Sequence, residues 1–191
     1  MVRIAPLAFE DMTPEQRAHH ESSPGGRGNM SRVLAYSPAM APGFSLAIQA
    51  MTKEILVPPL ERQICVLAVL YLERGEYELA QHMEVSRIMG IAPEKIEAIA
   101  DHRFNDPIFN EREQALLCFT RQTVRCVRVD DFAYNAVASF YSPRQIIELI
   151  QVIGIYMMLV RVSEIAVIEV DSIVGGDFWK EANKKAGLIK D

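Results

Sequence analysis

The amino-acid sequence predicts an all-α protein, and three observations support this fold class. Apolar residues recur at steps of three and four along several segments, as they do on the buried face of a helix. Proline or a capping residue stands before most of these segments, and strict apolar–polar alternation never lasts long enough to demand a sheet. Half of the 191 residues are hydrophobic and 24% are charged, which favours one domain with a sizeable core.

Two helix signals and one loop signal occupy the N-terminal part of the chain. Segment 13–16, TPEQ, combines a capping residue, a proline suited to the first helical position and a capping-box partner, so a short helix begins there. Segment 22–29, SSPGGRGN, is expected to form a loop that borders a site or closes over it as a lid. Segment 37–38, Ser-Pro, opens a further helix that ends at the two prolines of 58–59.

A helical hairpin is predicted next. From Leu60 the apolar residues keep the helical step until Arg74 and Gly75 end the helix. A second helix runs over residues 76–89 and is closed by Gly90, because glycine accepts the left-handed conformation at a helix end.

The remaining helices are expected over residues 93–100, 110–127, 131–140 and 143–170. The last of them is apolar on most faces, which is typical of a helix at the centre of a bundle or shared between subunits. We therefore divide the chain into an N-terminal helix and Gly/Pro-rich loop (1–29), an all-α domain (30–170) and a C-terminal tail (171–191). The apolar last helix and the Trp-containing tail also suggest an oligomer.

Composition excludes several classes of function. Lys and Arg number 20 against 25 Asp and Glu, and no dense basic stretch occurs, so nucleic acid is not an expected partner. The N-terminus lacks the apolar core of a signal peptide, and the most apolar stretch is about half of what a bilayer needs. Because Cys65, Cys118 and Cys126 form no Cys-x-x-Cys pair, a reducing cytoplasmic compartment is expected.

The polar residues that most clearly indicate a reactive site are Tyr77, Glu78 and His82. Glu78 and His82 are four residues apart and share a helix face, with Tyr77 near its edge. A histidine can move a proton near neutral pH, and an adjacent carboxylate would orient its ring. The alternative is an ordinary surface pair of small energetic value.

Four further residues are candidates for contacts with a substrate. Gln63 lies on the partner arm of the hairpin and could orient a group or donate a hydrogen bond. Tyr156 and Arg161 stand among apolar neighbours, and a buried arginine needs an anionic ligand or an acidic partner such as Glu148 or Glu164. Arg32 is a second candidate for binding a substrate carboxylate. The alternative is that Arg32 is an exposed arginine without such a role.

Metal and phosphate sites are not expected. The sequence contains no His-Glu-x-x-His or Cys/His cluster, and Glu78 with His82 supplies only two ligands. The glycines of residues 22–29 precede no strand–helix unit and lack a Walker lysine. His19, His20 and His102 stand in polar contexts and are expected to be solvated.

The hairpin carries a family resemblance. The motifs LERQ at residues 60–63 and YELAQH at residues 77–82, followed by Gly90, closely resemble the carboxymuconolactone decarboxylase family, which includes alkylhydroperoxidase D. The upstream segment 27–40 and the segment 141–161 resemble longer members of this family. The resemblance covers most of residues 28–170.

The resemblance implies an alkylhydroperoxidase D-like helical bundle and homo-oligomers, commonly trimers or hexamers, with dimers possible and active sites near subunit contacts. Redox members carry a Cys-x-x-Cys ahead of the histidine, where this chain has Gly75 and Glu78, so a thiol peroxidase is not expected. A glutamate that relays protons in many members corresponds to Gln63.

What the resemblance implies is a lyase of the non-redox branch, a decarboxylase-like enzyme that needs no cofactor and acts on a small unsaturated lactone or carboxylic acid from aromatic catabolism. In this hypothesis His82 donates the proton and Glu78 orients it, while Tyr77, Tyr156 or Gln63 binds the developing oxyanion. Arg161 or Arg32 would anchor a spectator carboxylate. The alternatives are a hydratase, isomerase or carbon–carbon lyase, and a non-catalytic oligomer that binds a small molecule.

Overall fold

The computed structural model describes residues 1–22 and 28–171. Over these ranges the chain forms a single 3-10 turn, Phe9–Asp11, and nine α-helices without strands, which confirms the all-α prediction. Most of the predicted lid (22–29) and nearly all of the predicted tail (171–191) lie outside the described residues. The helices are α1 (Pro14–Ser22), α2 (Asn29–Leu34), α3 (Ala41–Lys53), α4 (Pro59–Glu73), α5 (Glu76–Ile88), α6 (Pro93–Ala100), α7 (Glu111–Cys126), α8 (Asp131–Ala138) and α9 (Pro143–Ala166).

Helix α4 lies at the centre of the core. It packs against α5, α6, α7 and α9, and Cys65, Leu67 and Leu70 are fully buried. Its sequence carries apolar residues on nearly every face, so only a position surrounded by other helices removes this surface from water.

Capping side chains begin the helices where the sequence predicts. The backbone N–H of Gln16 donates to Thr13 Oγ1, and the N–H of Thr13 donates to Gln16 Oε1. Equivalent boxes begin α7 at Asn110 and α9 at Ser142. Each box satisfies amide groups that the first helical turn leaves without a partner.

The hairpin between α4 and α5 turns against α9. Arg74 adopts a left-handed conformation with φ 59° and ends α4. A Cβ atom placed on Gly75 would collide with Val160 Cγ2, so the close approach of the turn to α9 requires glycine there.

Several parts of the helix pattern differ from the predictions. Helix α2 occupies a segment for which no helix was expected, and α3 spans Ala41–Lys53 instead of running from Pro38 to the prolines of 58–59. Helix α9 ends at Ala166, four residues early, because the amides of Arg3 and Ile4 donate to the Ala166 carbonyl and Val167 turns left-handed. These contacts come from the distant N-terminus.

Helix α9 is long and apolar enough to cross a membrane by length and composition alone, and half of its apolar window is buried inside the protein. Core helices of soluble proteins share this profile. In this structure α9 contacts α4, α5, α7 and α8, as the prediction of a central helix requires.

Helices α1, α2 and α3 form an N-terminal layer over part of α5 and α9. Within the layer, Arg32 Nε donates to the carbonyl of Leu7 at 2.8 Å, and Gln16 Nε2 donates to the carbonyl of Ala35 at 2.8 Å. The layer and the two core helices enclose the pocket described next.

Candidate functional site

A pocket of about 360 Å³ lies between the N-terminal layer and helices α5 and α9. Its volume is near the lower end of the range for small-molecule sites, roughly 300–1,000 Å³. Much of the wall is apolar. A set of polar side chains from α5, from α9 and from Asp171 at the end of the described residues faces the same space. The apolar side chains include Met30, Leu34, Pro38, Phe44, Ile48 and Leu159, and the polar group consists of Tyr77, Glu78, Gln81, His82, Tyr156 and Asp171.

Glu78 and His82 are both buried and both line the pocket, so the alternative of an ordinary surface pair is wrong. Glu78 Oε2 lies 4.0 Å from His82 Nε2. The helical step of four residues places the two groups side by side, as the sequence predicts. The packing of α5 beneath the N-terminal layer removes both from water.

Gln63 fixes the tautomer of His82. Its side-chain nitrogen donates to the His82 carbonyl at 3.1 Å and to Ser86 Oγ at 2.8 Å, so its oxygen faces His82 Nδ1 at 3.1 Å. Because that oxygen only accepts, Nδ1 carries the hydrogen and Nε2 keeps its lone pair on the side of Glu78. Gln63 was expected to contact a substrate, but it does not line the pocket, and its amide holds His82 and Ser86 instead.

Burial moves the pKa values of Glu78 and His82 in opposite directions. Burial, with a smaller contribution from Asp171, raises the pKa of Glu78 to about 7. Burial, with a smaller contribution from Arg62, lowers the pKa of His82 to about 3. At neutral pH His82 is therefore neutral and Glu78 is near its midpoint, so Glu78 is the group able to give and take a proton.

Arg62 is a buried arginine that sequence reasoning missed. Its Nη1 donates to the carbonyls of Met51 and Thr52 at the end of α3, at 2.7 and 3.2 Å. Its charge acts on His82 and Tyr156. Its burial could have been predicted from its position in α4, because the apolar periodicity of that helix places its residues in the core.

Tyr156 contacts His82 edge to face, with ring centroids 4.9 Å apart. Burial and the nearby Glu78 raise the pKa of its hydroxyl, which therefore stays protonated. This hydroxyl has no hydrogen-bond partner among the described residues, and Tyr156 lines the pocket.

Tyr77 instead connects the start of α2 to the segment after α9. Its hydroxyl donates to Asp171 Oδ2 and accepts from the backbone N–H of Met30 at 3.3 Å. Asp171 Oδ1 accepts from the backbone N–H of Asn29 at 2.9 Å. Tyr77 lines the pocket, but its hydroxyl is already engaged by the start of α2 and by the segment after α9.

The two predicted arginines lie elsewhere. Arg161 was expected to be buried, but its side chain is 52% exposed and it pairs with Glu73, with Nη1 also donating to the Met157 carbonyl. Arg161 therefore lies outside the pocket, and neither acidic partner considered for it, Glu148 or Glu164, is the observed one. Arg32 holds the N-terminal segment through the carbonyls of Pro6 and Leu7 and does not line the pocket.

His20 corrects another expectation. It was expected to be solvated, yet it is buried, lines the pocket and has Nδ1 3.2 Å from Ser31 Oγ. Sequence pattern could not show this, because the contact of α1 with Ser31 of α2 forms only in the folded chain. His102 is exposed as expected, whereas the side chain of His19 is outside the description.

Thiol chemistry has no support at this site. Cys65 is fully buried beside Thr120, and burial raises its pKa to about 12. No cysteine is among the described residues that line the pocket. A side chain at Gly75 would collide with Val160, which is consistent with the absence of a Cys-x-x-Cys in the sequence. The described residues contain no group of three or more metal-ligating side chains.

No protein-family model and no curated protein matches the sequence. Solved structures are similar. An AhpD-core protein from Ralstonia eutropha JMP134, called an uncharacterized peroxidase-related protein, shares 15% identity at a TM-score of 0.77, covering 91% of this chain and 94% of that one. An uncharacterized peroxidase-related protein from Silicibacter sp. TM1040 shares 18% identity at 0.77, covering 93% and 95%.

The structure is also similar to that of the debrominase Bmp8. The apo form shares 16% identity at a TM-score of 0.73, with 96% of this chain and 97% of that chain covered. A variant of Bmp8 in complex with 2,3,4-tribromopyrrole gives a TM-score of 0.74. At these identities the likeness shows the AhpD-like fold, which confirms the predicted architecture. The decarboxylase branch and the oligomeric state stay predictions.

Proposed function

We propose that this protein is an acid/base enzyme that transfers a proton to or from an unsaturated carbon of a small, largely apolar molecule. The observation that carries the proposal is the buried pair of Glu78 and His82 on the wall of the pocket, with the pKa of Glu78 near 7. A catalytic acid is most effective when its pKa is close to the working pH.

Glu78 replaces His82 as the proposed proton donor. His82, with a pKa lowered to about 3, holds no exchangeable charge at neutral pH, and Gln63 directs its lone pair towards Glu78. An acceptor beside the carboxyl stabilises the protonated form of Glu78 relative to its anion. His82 is then a positioning residue, and Glu78 is the catalytic one.

Tyr156 is proposed to bind the oxygen on which negative charge develops. Of the three groups considered for this role, Tyr77 is engaged by Asp171 and Met30, and Gln63 is committed to His82 and Ser86. Tyr156 lines the pocket, and its hydroxyl stays protonated. A donor placed where charge develops lowers the barrier more than it strengthens binding of the substrate.

Decarboxylation, the reaction named by the family resemblance, can use these parts. Loss of carbon dioxide leaves an electron pair that a conjugated carbonyl accepts as a dienolate, which Tyr156 would stabilise and Glu78 would protonate at carbon. Isomerisation of an unsaturated carbonyl compound needs the same two groups. Because Arg32 and Arg161 lie outside the pocket, the proposal includes no anchored spectator carboxylate.

The structure of Bmp8 with tribromopyrrole adds one supporting observation. In that structure a protein of similar fold is in complex with a small ring compound. A pocket of about 360 Å³ with apolar walls suits a ligand of similar size in the present chain.

The test follows proton transfer at carbon directly. Unsaturated lactones with and without a carboxyl group are incubated with the protein in D₂O, and NMR records deuterium at carbon, double-bond migration and loss of carbon dioxide. We expect turnover of at least one lactone by the wild type, a loss of at least about 100-fold in Glu78→Gln, and a substantial loss in Tyr156→Phe.

Glu76→Gln is the matched control, since it removes the same charge from an exposed position in the same helix turn. Equal rates in wild type and Glu78→Gln would refute the role of Glu78. Binding of lactones with thermal stabilisation but without any exchange would instead favour the non-catalytic binding protein.

We further propose a homo-oligomer in the cytoplasm. Ile147, Ile150 and Ile165 are exposed on α9, which supports a shared surface. Light scattering that gives a 21.5 kDa particle at micromolar concentration would contradict oligomerisation.

A further inference from the structure

Two carboxyl groups, those of Glu78 and Asp171, face the same largely apolar pocket from different parts of the chain. Glu78 belongs to α5, and Asp171 follows the end of α9. The described lining residues include no lysine or arginine, and the polar side chains of Ser31, Ser45 and Gln81 on the same wall are uncharged. Two carboxyls that share such a space do not ionise independently, so one of them keeps its proton to a higher pH.

The hydrogen bonds of Asp171 favour this residue as the ionised member of the pair. Asp171 Oδ1 accepts from the backbone N–H of Asn29 at 2.9 Å, and Oδ2 accepts from the Tyr77 hydroxyl. The Tyr77 oxygen accepts from the backbone N–H of Met30, which leaves its own hydrogen for Asp171. Donors that point at a carboxylate stabilise the anion relative to the acid.

Glu78 has the surroundings of the member that keeps its proton. Its side chain is buried, and no N–H or O–H group of the described residues donates a hydrogen bond to its carboxyl. Burial raises the pKa of Glu78, and the charge of Asp171 raises it further, to about 7. The two carboxyls therefore differ in the way that separates an acid from a permanent anion.

Other titratable groups surround Glu78 on every element packed against it. They are Glu15 and His20 of α1, Arg62 of α4, Tyr77 and His82 of α5, and Tyr156 of α9. Burial keeps the proton on both tyrosines and keeps His82 neutral, while Glu15 is exposed to water that screens its charge. Arg62 does not line the pocket, and its charge acts on His82 and Tyr156. The charge that acts on Glu78 itself is that of Asp171.

We propose that Asp171 is a positioning residue of this site: its carboxylate, held by Asn29 and Tyr77, keeps the proton on Glu78 and so keeps Glu78 an acid at neutral pH. The inference rests on the proposed function in taking Glu78 as the proton donor. Asp171 passes no proton itself. Because the same carboxylate connects α5 to the start of α2, one side chain serves both the enclosure of the pocket and the acidity of Glu78.

The test separates the charge of Asp171 from its hydrogen bonds. In Asp171→Asn the amide oxygen can still accept from the Asn29 N–H, and the amide nitrogen can donate to the Tyr77 oxygen, so only the charge is removed. Carbon-13 NMR of labelled carboxyls follows the titration of Glu78 in the full-length protein without substrate, with Glu78→Gln assigning the signal. We expect Glu78 in Asp171→Asn to titrate at least about half a pH unit lower than in the wild type.

Glu169→Gln is the matched control, because it removes the same charge from an exposed side chain of the same segment and should leave the titration of Glu78 unchanged. Asp171→Glu keeps the charge and should return the titration of Glu78 towards that of the wild type. The wild type supplies a measurement that needs no variant. Its Asp171 carboxyl signal should stay in the ionised position from about pH 5.5 to about pH 8, while Glu78 titrates.

Three results would overturn the inference: the same titration of Glu78 in the wild type and Asp171→Asn, an equal shift in Glu169→Gln, or protonation of Asp171 together with Glu78. Proton exchange into a lactone should fall with rising pH, and in Asp171→Asn this fall should move to lower pH by the interval seen in the NMR titration. A contact that is only structural would not move the pH profile. The expected NMR shifts without any exchange at carbon in the wild type would refute the proposed function and leave the relation between the two carboxyls intact.

Discussion

The dependence of stability on pH offers a direct test of the buried acid. Glu78 has an ordinary pKa of 4.5 in the unfolded chain and about 7 in the fold. Between these pH values the folded state holds a proton that the unfolded state has lost, so this group makes the free energy of unfolding fall as pH rises. The contribution is complete below pH 4.5 and is lost above pH 7.

The size of this change in the free energy of unfolding follows from the difference between the two pKa values of Glu78. From pH 4.5 to about 7, at about 1.4 kcal/mol for each pH unit, Glu78 lowers the free energy of unfolding by about 3 kcal/mol. His82 acts in the opposite sense, since its pKa falls from 6.5 to about 3 and its contribution rises with pH over that window. The two contributions nearly cancel between about pH 4.5 and 6.5 in the wild type.

Glu78→Gln separates the two contributions. Glutamine does not titrate, so the free energy of unfolding of the variant minus that of the wild type should rise by about 3 kcal/mol from pH 4.5 to pH 7.5. Urea unfolding followed by the helical circular dichroism signal measures this difference at several pH values.

Taking the difference cancels every group that titrates alike in both proteins. Glu76→Gln, from an exposed position, should give a difference that stays nearly constant with pH. If the Glu78→Gln curve runs parallel to that of the wild type, the carboxyl titrates near its ordinary pKa, and the argument for Glu78 as the proton donor fails.

Two further changes test the packing. Gly75→Ala should lower the free energy of unfolding by roughly 1–3 kcal/mol, because the new Cβ collides with Val160. Gly43→Ala is the control, since a Cβ there meets nothing within 4 Å. Urea unfolding measures the stability of both variants, and equal stabilities would contradict the close approach of Gly75 to Val160. In the native protein a thiol reagent should modify the exposed Cys126 well before the buried Cys65, whose pKa is raised to about 12. Mass spectrometry of the labelled peptides gives the order of modification. Early labelling of Cys65 would contradict its burial.

Most helix boundaries could be read from local sequence, because capping and termination depend on neighbouring residues. The boxes at Thr13, Asn110 and Ser142 involve side chains three residues from the amides they satisfy. The early end of α9 could not be read this way, since the partners of the Ala166 carbonyl come from the N-terminus.

The same distinction runs through the site. The pairing of Glu78 with His82 follows from the helical repeat, and a place for Gln63 near them follows from the predicted hairpin. That Arg161 is exposed while His20 is buried depends on which helix faces the other helices cover. Periodicity shows that a face exists, but only the assembled helices show what covers it.

The sequence by itself determined the all-α class, most of the helix boundaries and the side-by-side placement of Glu78 and His82 on α5. Only the tertiary structure decided which member of that pair holds the proton, because the pKa values of Glu78 and His82 are set by burial and by the charges of Asp171 and Arg62. Desolvation is a property of the surrounding volume, and in this protein that volume is enclosed by segments far apart along the chain.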